Sequence, residues 1–310
     1  MSASFATALH AARDAASAQH YPQGTLYVVA TPIGNLADIT LRALHVLELA
    51  DCIACEDTRH TQGLLRSYGI AKSGAQLLAL HQHNEQEGAQ TVVARLQQGE
   101  RVAYVSDAGT PAVSDPGARL VAAVEAAGFR AVPVPGVSSV TAALSVAGTL
   151  AGPGMAPGFV FQGFLPSKAG ERQAAVQALK NEPRCAVLLE APHRVLDLAE
   201  ALATLGARRV TLARELTKQY ESVTTVAAEQ LPAWFAGDAN RARGEFVLVL
   251  HPEILQGDDA LPTALLQKLL PVLPLKTAVR IAADLTQAPR NALYEQALAL
   301  RGSREEHPQE

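Results

Sequence analysis

The sequence predicts a two-domain α/β protein with a small helical module near its C-terminal end. Three observations carry this reading. Short apolar, strand-like runs alternate with segments of helical periodicity from residue 25 to residue 250. Loops rich in Gly, Pro, Ser and Asp follow several of those runs, as they do where ligands sit at the carboxyl ends of parallel strands. Beyond residue 261 the strand pattern stops. The 310 residues are 48% hydrophobic but only 5% aromatic, the balance of proteins built on parallel sheets. Mean hydropathy is near zero, and no apolar run reaches the roughly 18 residues that span a bilayer. A net charge of −4 excludes a uniformly polybasic nucleic-acid binder. Cys52 and Cys55 lie inside an apolar run and Cys185 opens another. They read as buried thiols of a reduced, cytoplasmic protein, not as a redox or zinc site.

The elements follow in order. Residues 1–24 are Ala-rich, lack the apolar core of a signal peptide, and read as a disordered, frayed or weakly helical extension. TLYVVA, residues 25–30, is the first strand. Pro32, Gly34 and Asn35 make a tight turn, and Asp38 is placed to cap a helix over residues 39–50. A second strand, residues 51–55, runs into Glu56, Asp57, Arg59 and His60, a cluster that suits either a helix cap or part of a site. Leu77 to Leu80 form another strand. His81 and His83 beyond it share a face of an extended segment, without the further ligands a metal site needs.

Residues 101–128 are the most informative stretch. An apolar run, Val102 to Val105, leads through SDAGTPAVSDPG into a helical repeat of Leu120, Val121, Val124 and Ala127. Asp115 is placed as helix cap and Pro116 as first helical residue. The loop has carboxylates (Asp107, Asp115) and no Lys or Arg, and the chain lacks G-x-x-x-x-G-K-[ST]. Phosphate cradling is therefore disfavoured. Backbone amides, hydroxyls and carboxylates suit ribose hydroxyls, an adenine edge and a cationic group. A second such loop, Pro135–Gly136 followed by Ser138 and Ser139, opens the next helix.

The Gly- and Pro-rich residues 151–158 mark a domain boundary. The second half begins with FVFQGFLP, and SKAGERQ opens a helix. Residues 184–194 read as a strand with a polar end, residues 208–228 as a strand, a polar stretch from Arg214 and another short strand, and residues 244–250 as a final strand. Polar groups cluster after several of them: Glu190, His193 and Arg194, then Arg214, Glu215, Lys218 and Tyr220. Residues 262–301 read as three short helices with five basic side chains against two acidic ones, net +3, in an otherwise acidic chain. This fits either a helix-turn-helix or a packing appendage. The domains expected are thus 25–150, 151–255 and 262–301, with a disordered tail at 302–310.

TPIGNLADITLRA, EDTRHT, HQHNE, VSDAGTPAVSDPG, the turn at 135–136, FLPSK, EAPHR and RELTK occur in the order found in the ribosomal RNA small subunit methyltransferase I family, which the chain resembles over about residues 24–300. That family belongs to the tetrapyrrole methylase superfamily. The resemblance implies a tetrapyrrole-methylase-like (class III methyltransferase) fold, S-adenosylmethionine in an interdomain cleft, a homodimer, no membrane association, and 2′-O-methylation of a cytidine in the decoding region of 16S rRNA. It implies cofactor contacts from Pro32, Asp107, Gly109, Thr110, Val113, Ser138, Ser139, Glu190 and Ala191. Val137 and Leu189 depart from the family pattern without removing a polar group.

Aligning a 2′-hydroxyl with an activated methyl needs positioning, a proton acceptor and charge stabilisation. Glu190 and His193 are candidates for the acceptor, and Arg194, Arg214 and Lys218 for the cation. Glu56, Asp57, Arg59 and Glu215, with Arg214 and Lys218, are candidate substrate contacts. A tetrapyrrole methyltransferase and a ligand-sensing nucleic-acid-binding regulator are the rival readings. A nicotinamide enzyme is disfavoured, because no G-x-G-x-x-G follows the first strand.

Overall fold

A computed structural model describes residues 5–81, 84–114, 116–148, 158–252, 260–286 and 288–305. Five strands form the first sheet: β1 (Thr25–Val29), β2 (Cys52–Cys55), β3 (Leu77–Ala79), β4 (Arg101–Val105) and β5 (Arg130–Val134). Their order is β3-β2-β4-β1-β5, and every pairing is parallel. Strand alternation splits the core between the two faces. Tyr27, Val29, Ile53 and Val105 pack under helices α1 (Ala6–Ala16), α2 (Leu41–Leu49) and α3 (Thr58–Ser67). Leu26, Cys52, Val102 and Tyr104 pack under α4 (Glu85–Gln97) and α5 (Ala118–Ala126).

Strands β6 (Phe159–Gly163), β7 (Cys185–Glu190), β8 (Arg209–Arg214), β9 (Ser222–Ala227) and β10 (Phe246–Leu250) form the second sheet, in the order β6-β7-β10-β8-β9. This sheet is mixed. Only β6 and β7 pair in parallel, because the last strand inserts antiparallel between β7 and β8. One face is covered by α7 (Ala169–Lys180), α8 (Val195–Leu202) and α9 (Leu231–Ala236). The other is covered by α6 (Ser139–Val146), whose Val140 and Ala143 pack on Val187, Val247 and Val249. A helix that follows the first sheet in sequence therefore builds the core of the second. Helices α10 (Ala260–Leu269), α11 (Leu275–Thr286) and α12 (Arg290–Glu305) pack around their own core of Leu266, Val279, Ala282 and Leu293.

Several local expectations are corrected. Residues 6–16 are not frayed. Leu9, Ala12 and Ala16 of α1 are buried, and Arg13 Nε donates to Glu48 of α2 at 2.8 Å. Helix α2 is capped by Thr40, whose hydroxyl accepts from the Ala43 amide at 3.1 Å, while Asp38 closes a preceding turn capped by Asn35. Helix α5 starts at Ala118, not Pro116. Its cap is Gly117 at φ +127, a conformation that ends helical geometry on the N-terminal side. Asp115 lies outside the described residues, as do His83 and most of the expected 151–158 boundary. Helix α12 runs to Glu305, four residues into the expected tail. Among the described residues, no helix is long and apolar enough to cross a membrane.

Candidate active site between the two sheets

The order β4-β1-β5 places three loops side by side at the carboxyl end of the first sheet: residues 30–40, 106–117 and 135–138. They are tied together. Thr31 and Gly109 exchange backbone hydrogen bonds of 2.9 and 3.0 Å, the Thr31 hydroxyl donates to the Ser106 carbonyl, and the Thr110 hydroxyl donates to the Val137 carbonyl at 3.0 Å. A Cβ at Gly109 would lie 3.2 Å from the Ile33 side chain, so this glycine permits the close approach.

The second sheet faces these loops with the carboxyl ends of β7 and β8 and the start of β10. Phe246 pairs with both Glu190 and Arg214. The turn after β8 folds back on itself. Glu215 and Thr217 both have positive φ (52° and 67°), Lys218 Nζ donates to Glu215 at 2.8 Å and to Glu245 at 3.0 Å, and the Glu245 amide donates to Glu215 at 2.9 Å. This turn meets the first loop: the Asn35 amide donates to the Thr217 hydroxyl at 3.1 Å, and the Lys218 stem lies against Gly34.

Two adjoining cavities fill the cleft. The smaller, about 110 Å³, is walled by Gly109, Thr110, Val113, Ser138, Ser139 and Phe161. The larger, about 230 Å³, is walled by Ser139, Phe164, Glu190, Ala191, Lys218 and Glu245, among others. A groove of about 670 Å³ between α4 and α5 is roomier, but Gln, Ala and Val dominate its walls and no strand-end loop reaches it. The cleft is the candidate site because convergent polar groups, not volume, decide where chemistry can occur.

Glu190 is buried. Its Oε1 accepts the Ala191 amide at 2.9 Å and lies 3.2 Å from Arg194 Nε, while its Oε2 has no hydrogen-bond partner among the described residues. A buried acceptor of this kind awaits a donor. Burial alone would lower the Lys218 pKa and raise that of Glu215. The hydrogen bonds between them, with those to Glu245, outweigh it: Lys218 is raised and Glu215 lowered, so both stay charged.

Sequence-predicted residues divide between those that wall the cleft and those that do not. Gly109, Thr110, Val113, Ser138, Ser139, Glu190, Ala191 and Lys218 wall it. Pro32 is buried in the turn beside Ile33, which reaches both cavities. Asp107 walls neither cavity, and its carboxylate accepts the Asp57 amide at 3.4 Å. Asp57 caps α3, and the Arg59 and His60 amides it accepts hold its carboxyl below the usual range. Glu56 sits next to this cap, and Arg59 points to solvent. His193 is exposed and walls neither cavity. Arg194 binds Glu190 and donates to the Leu165 carbonyl. Arg214 donates to Ser222 and to the carbonyls of Arg243 and Tyr220, so it secures the turn and does not face the cavity.

Ile33, Phe164, Leu216 and Glu245 were missed. Glu245 precedes its strand, and only an antiparallel β10 brings a strand's beginning to this end of the sheet. Phe164, in FLPSK, carried a signal as an aromatic just past a strand in a chain poor in aromatics. Leu189, one departure from the family pattern, walls both cavities. Val137 binds Thr110 through its carbonyl, which any residue supplies.

The donor set fits a nucleoside bearing a positive charge: hydroxyls of Thr110, Ser138 and Ser139, apolar walls of Ile33, Val113 and Phe161, and an unpartnered carboxylate oxygen on Glu190. Among the described residues, no group of His, Cys, Asp and Glu could hold a metal ion.

Comparison with known proteins bears on the family and the fold. Residues 25–232 match the family model of tetrapyrrole (corrin/porphyrin) methylases, and residues 256–301 match that of the RsmI C-terminal HTH domain. The chain is similar to proteins called ribosomal RNA small subunit methyltransferase I. It is 47% identical to that of Escherichia coli O157:H7, covering 90% of this chain and 96% of the relative, and 46% identical to that of Pseudomonas aeruginosa, covering 90% and 98%. Among solved structures it resembles a cobalt precorrin-4 methyltransferase of cobalamin biosynthesis (TM-score 0.55, 20% identity, covering 75% of this chain and 98% of that one). It also resembles a uroporphyrin-III C-methyltransferase from Thermus thermophilus (TM-score 0.51, 24% identity, covering 74% and 94%).

Proposed function

The chain belongs to the tetrapyrrole (corrin/porphyrin) methylase family, and from that premise we propose that it is an S-adenosylmethionine-dependent methyltransferase acting on the 2′-hydroxyl of a cytidine in the decoding region of 16S rRNA. One observation carries the choice of RNA over a tetrapyrrole. Similarity to the ribosomal RNA methyltransferases spans the cleft and continues through the C-terminal helices, where a second family model matches. A cytoplasmic location, a homodimer and the division into units 25–150, 151–255 and 262–301 belong to the same reading.

Thr110, Ser138, Ser139, Glu190 and Ala191 would hold the cofactor, with Gly109 and Val113 shaping its wall. Bound S-adenosylmethionine supplies an electrophilic methyl on a sulfonium. The protein's own part is to orient the ribose hydroxyl, exclude water and manage one proton. Glu190 is the remaining candidate acceptor, since His193 is exposed and walls neither cavity. Lys218, held cationic by Glu215 and Glu245, stabilises charge developing on the oxygen. Arg194 and Arg214 serve as positioning residues. Arg59 and the C-terminal module supply phosphate contacts outside the cleft.

The test is to incubate the protein with tritiated S-adenosylmethionine and small ribosomal subunits lacking the modification, then map the label. One 2′-O-methylcytidine in the decoding region is expected. Tight cofactor binding without labelled RNA would refute the RNA substrate and favour tetrapyrroles.

A further inference from the structure

Phe164 is 54% exposed and walls the larger cavity beside Glu190, Lys218 and Glu245. Both of its flanks are fixed. Strand β6 breaks register between Phe161 and Gly163, and Gly163 takes φ +64. This bulge redirects the following side chains. Gly163 and Leu165 are buried, and Phe164 between them faces out. Leu165 is anchored in the core of the second sheet, and its carbonyl accepts from Arg194, which Glu190 holds at 3.2 Å. An aromatic ring left half in solvent adds little to folding, yet this one sits on a braced segment at the mouth of the cleft. It offers a flat apolar face to whatever enters.

We propose that Phe164 is the stacking platform for the target nucleobase, so that the cleft takes a nucleotide splayed out of its strand. The inference rests on the RNA reading given above. A 2′-hydroxyl inside structured RNA reaches an enclosed site only when its nucleotide leaves its neighbours, and the base then loses its stacking partners. An aromatic side chain replaces them without regard to base identity. The rival partner is the adenine of the cofactor. Most of the hydroxyls suited to a nucleoside lie in the smaller chamber, which Phe161, not Phe164, walls. Glu190 and Ala191, given to the cofactor above, share the larger chamber with Phe164, so cofactor affinity is measured beside the rate.

The test uses full-length Phe164→Ala, Phe164→Leu and Phe164→Trp with unmodified small subunits, reading single-turnover methylation, cofactor affinity by calorimetry and thermal midpoint. Phe164→Ala is expected to lower kcat/KM for the subunit by about tenfold to a hundredfold. Its cofactor affinity should stay within about twofold of wild type and its midpoint nearly unchanged, because the ring is outside the core. Phe164→Trp should restore the rate, and Phe164→Leu should not. Wild-type kcat/KM in Phe164→Ala would overturn the proposal. A loss of cofactor affinity as large as the loss of rate would assign the ring to the cofactor and overturn it equally. If wild-type protein bound cofactor but labelled no RNA, the functional reading would fail and this proposal with it, a pattern distinct from either.

Discussion

At Gly117 a Cβ would fall 2.3 Å from the Tyr104 ring, whose hydroxyl donates to the neighbouring Pro116 carbonyl, while the Gly117 amide donates to the buried Glu85 at 3.0 Å. Neither backbone nor ring can yield easily, so Gly117→Ala should cost about 3 kcal/mol of stability, read from the midpoint of urea unfolding. Gly34 is also tight, with a Cβ expected 2.4 Å from Lys218 Cγ, but that neighbour is a flexible side chain. Gly34→Ala should therefore change stability by less than about 1 kcal/mol and slow methyl transfer by about tenfold or more, through a displaced Lys218. A variant that unfolds early but turns over normally would contradict this. Lys218→Met, which leaves Glu215 and Glu245 without their cation, should lower kcat by about a hundredfold, and wild-type turnover would remove Lys218 from the mechanism. The sequence showed these residues as loop glycines and a strand-end lysine. It did not show that Gly34 and Lys218 touch, because they meet across the cleft between two sheets.

Among the elements, those legible from sequence were the ones whose patterns are local. Strands β1, β4 and β7 are continuous apolar runs, and α6 opens with Ser138 and Ser139 as expected. Helix α1 was legible only as a weakly helical segment, because its Ala-rich sequence offers few large apolar side chains and its order comes from packing on α2. Leu9 is the largest of its buried side chains. Leu9→Ala should cost about 2–3 kcal/mol, whereas the solvent-screened Arg13–Glu48 pair adds little. A thermal midpoint unchanged by Leu9→Ala would show that α1 does not dock. The antiparallel placement of β10 was equally hidden. FVLVL reads the same in either direction, and its partners lie about thirty residues or more away in sequence. The C-terminal helices form their own core, so deleting residues 256–310 should spare cofactor affinity. RNA binding should weaken, and the log–log slope of its salt dependence should fall by about one unit for each phosphate that the module neutralises. Unaltered RNA affinity would make the module a structural appendage.

For the whole molecule, one buried and one half-buried histidine weaken the fold toward acid pH. Burial pushes His251 below its ordinary value of 6.5, reinforced by Arg209 and Arg208, and its Nε2 lies 2.8 Å from the Thr211 hydroxyl. Burial also lowers His45, with Glu48 opposing and Arg13 assisting. Both are neutral in the fold, while the unfolded chain takes up protons near pH 6.5. Stability is therefore full above that pH and declines as pH falls below it toward the depressed folded values. A thermal midpoint that stayed flat from about pH 8 to about pH 5 would contradict this. The place of β10 has a further consequence, for the order in which the molecule comes into being. The first sheet is complete by residue 134, so it can fold while the rest of the chain is still being synthesised. The second sheet cannot, because the strand at its middle, whose Phe246 and Val247 wall the cleft, is its last to be made. A nascent chain lacks both the sheet's centre and half of the cleft until residue 250 has emerged. Folded second lobe and finished site thus arrive together, and prematurely terminated chains are left with neither.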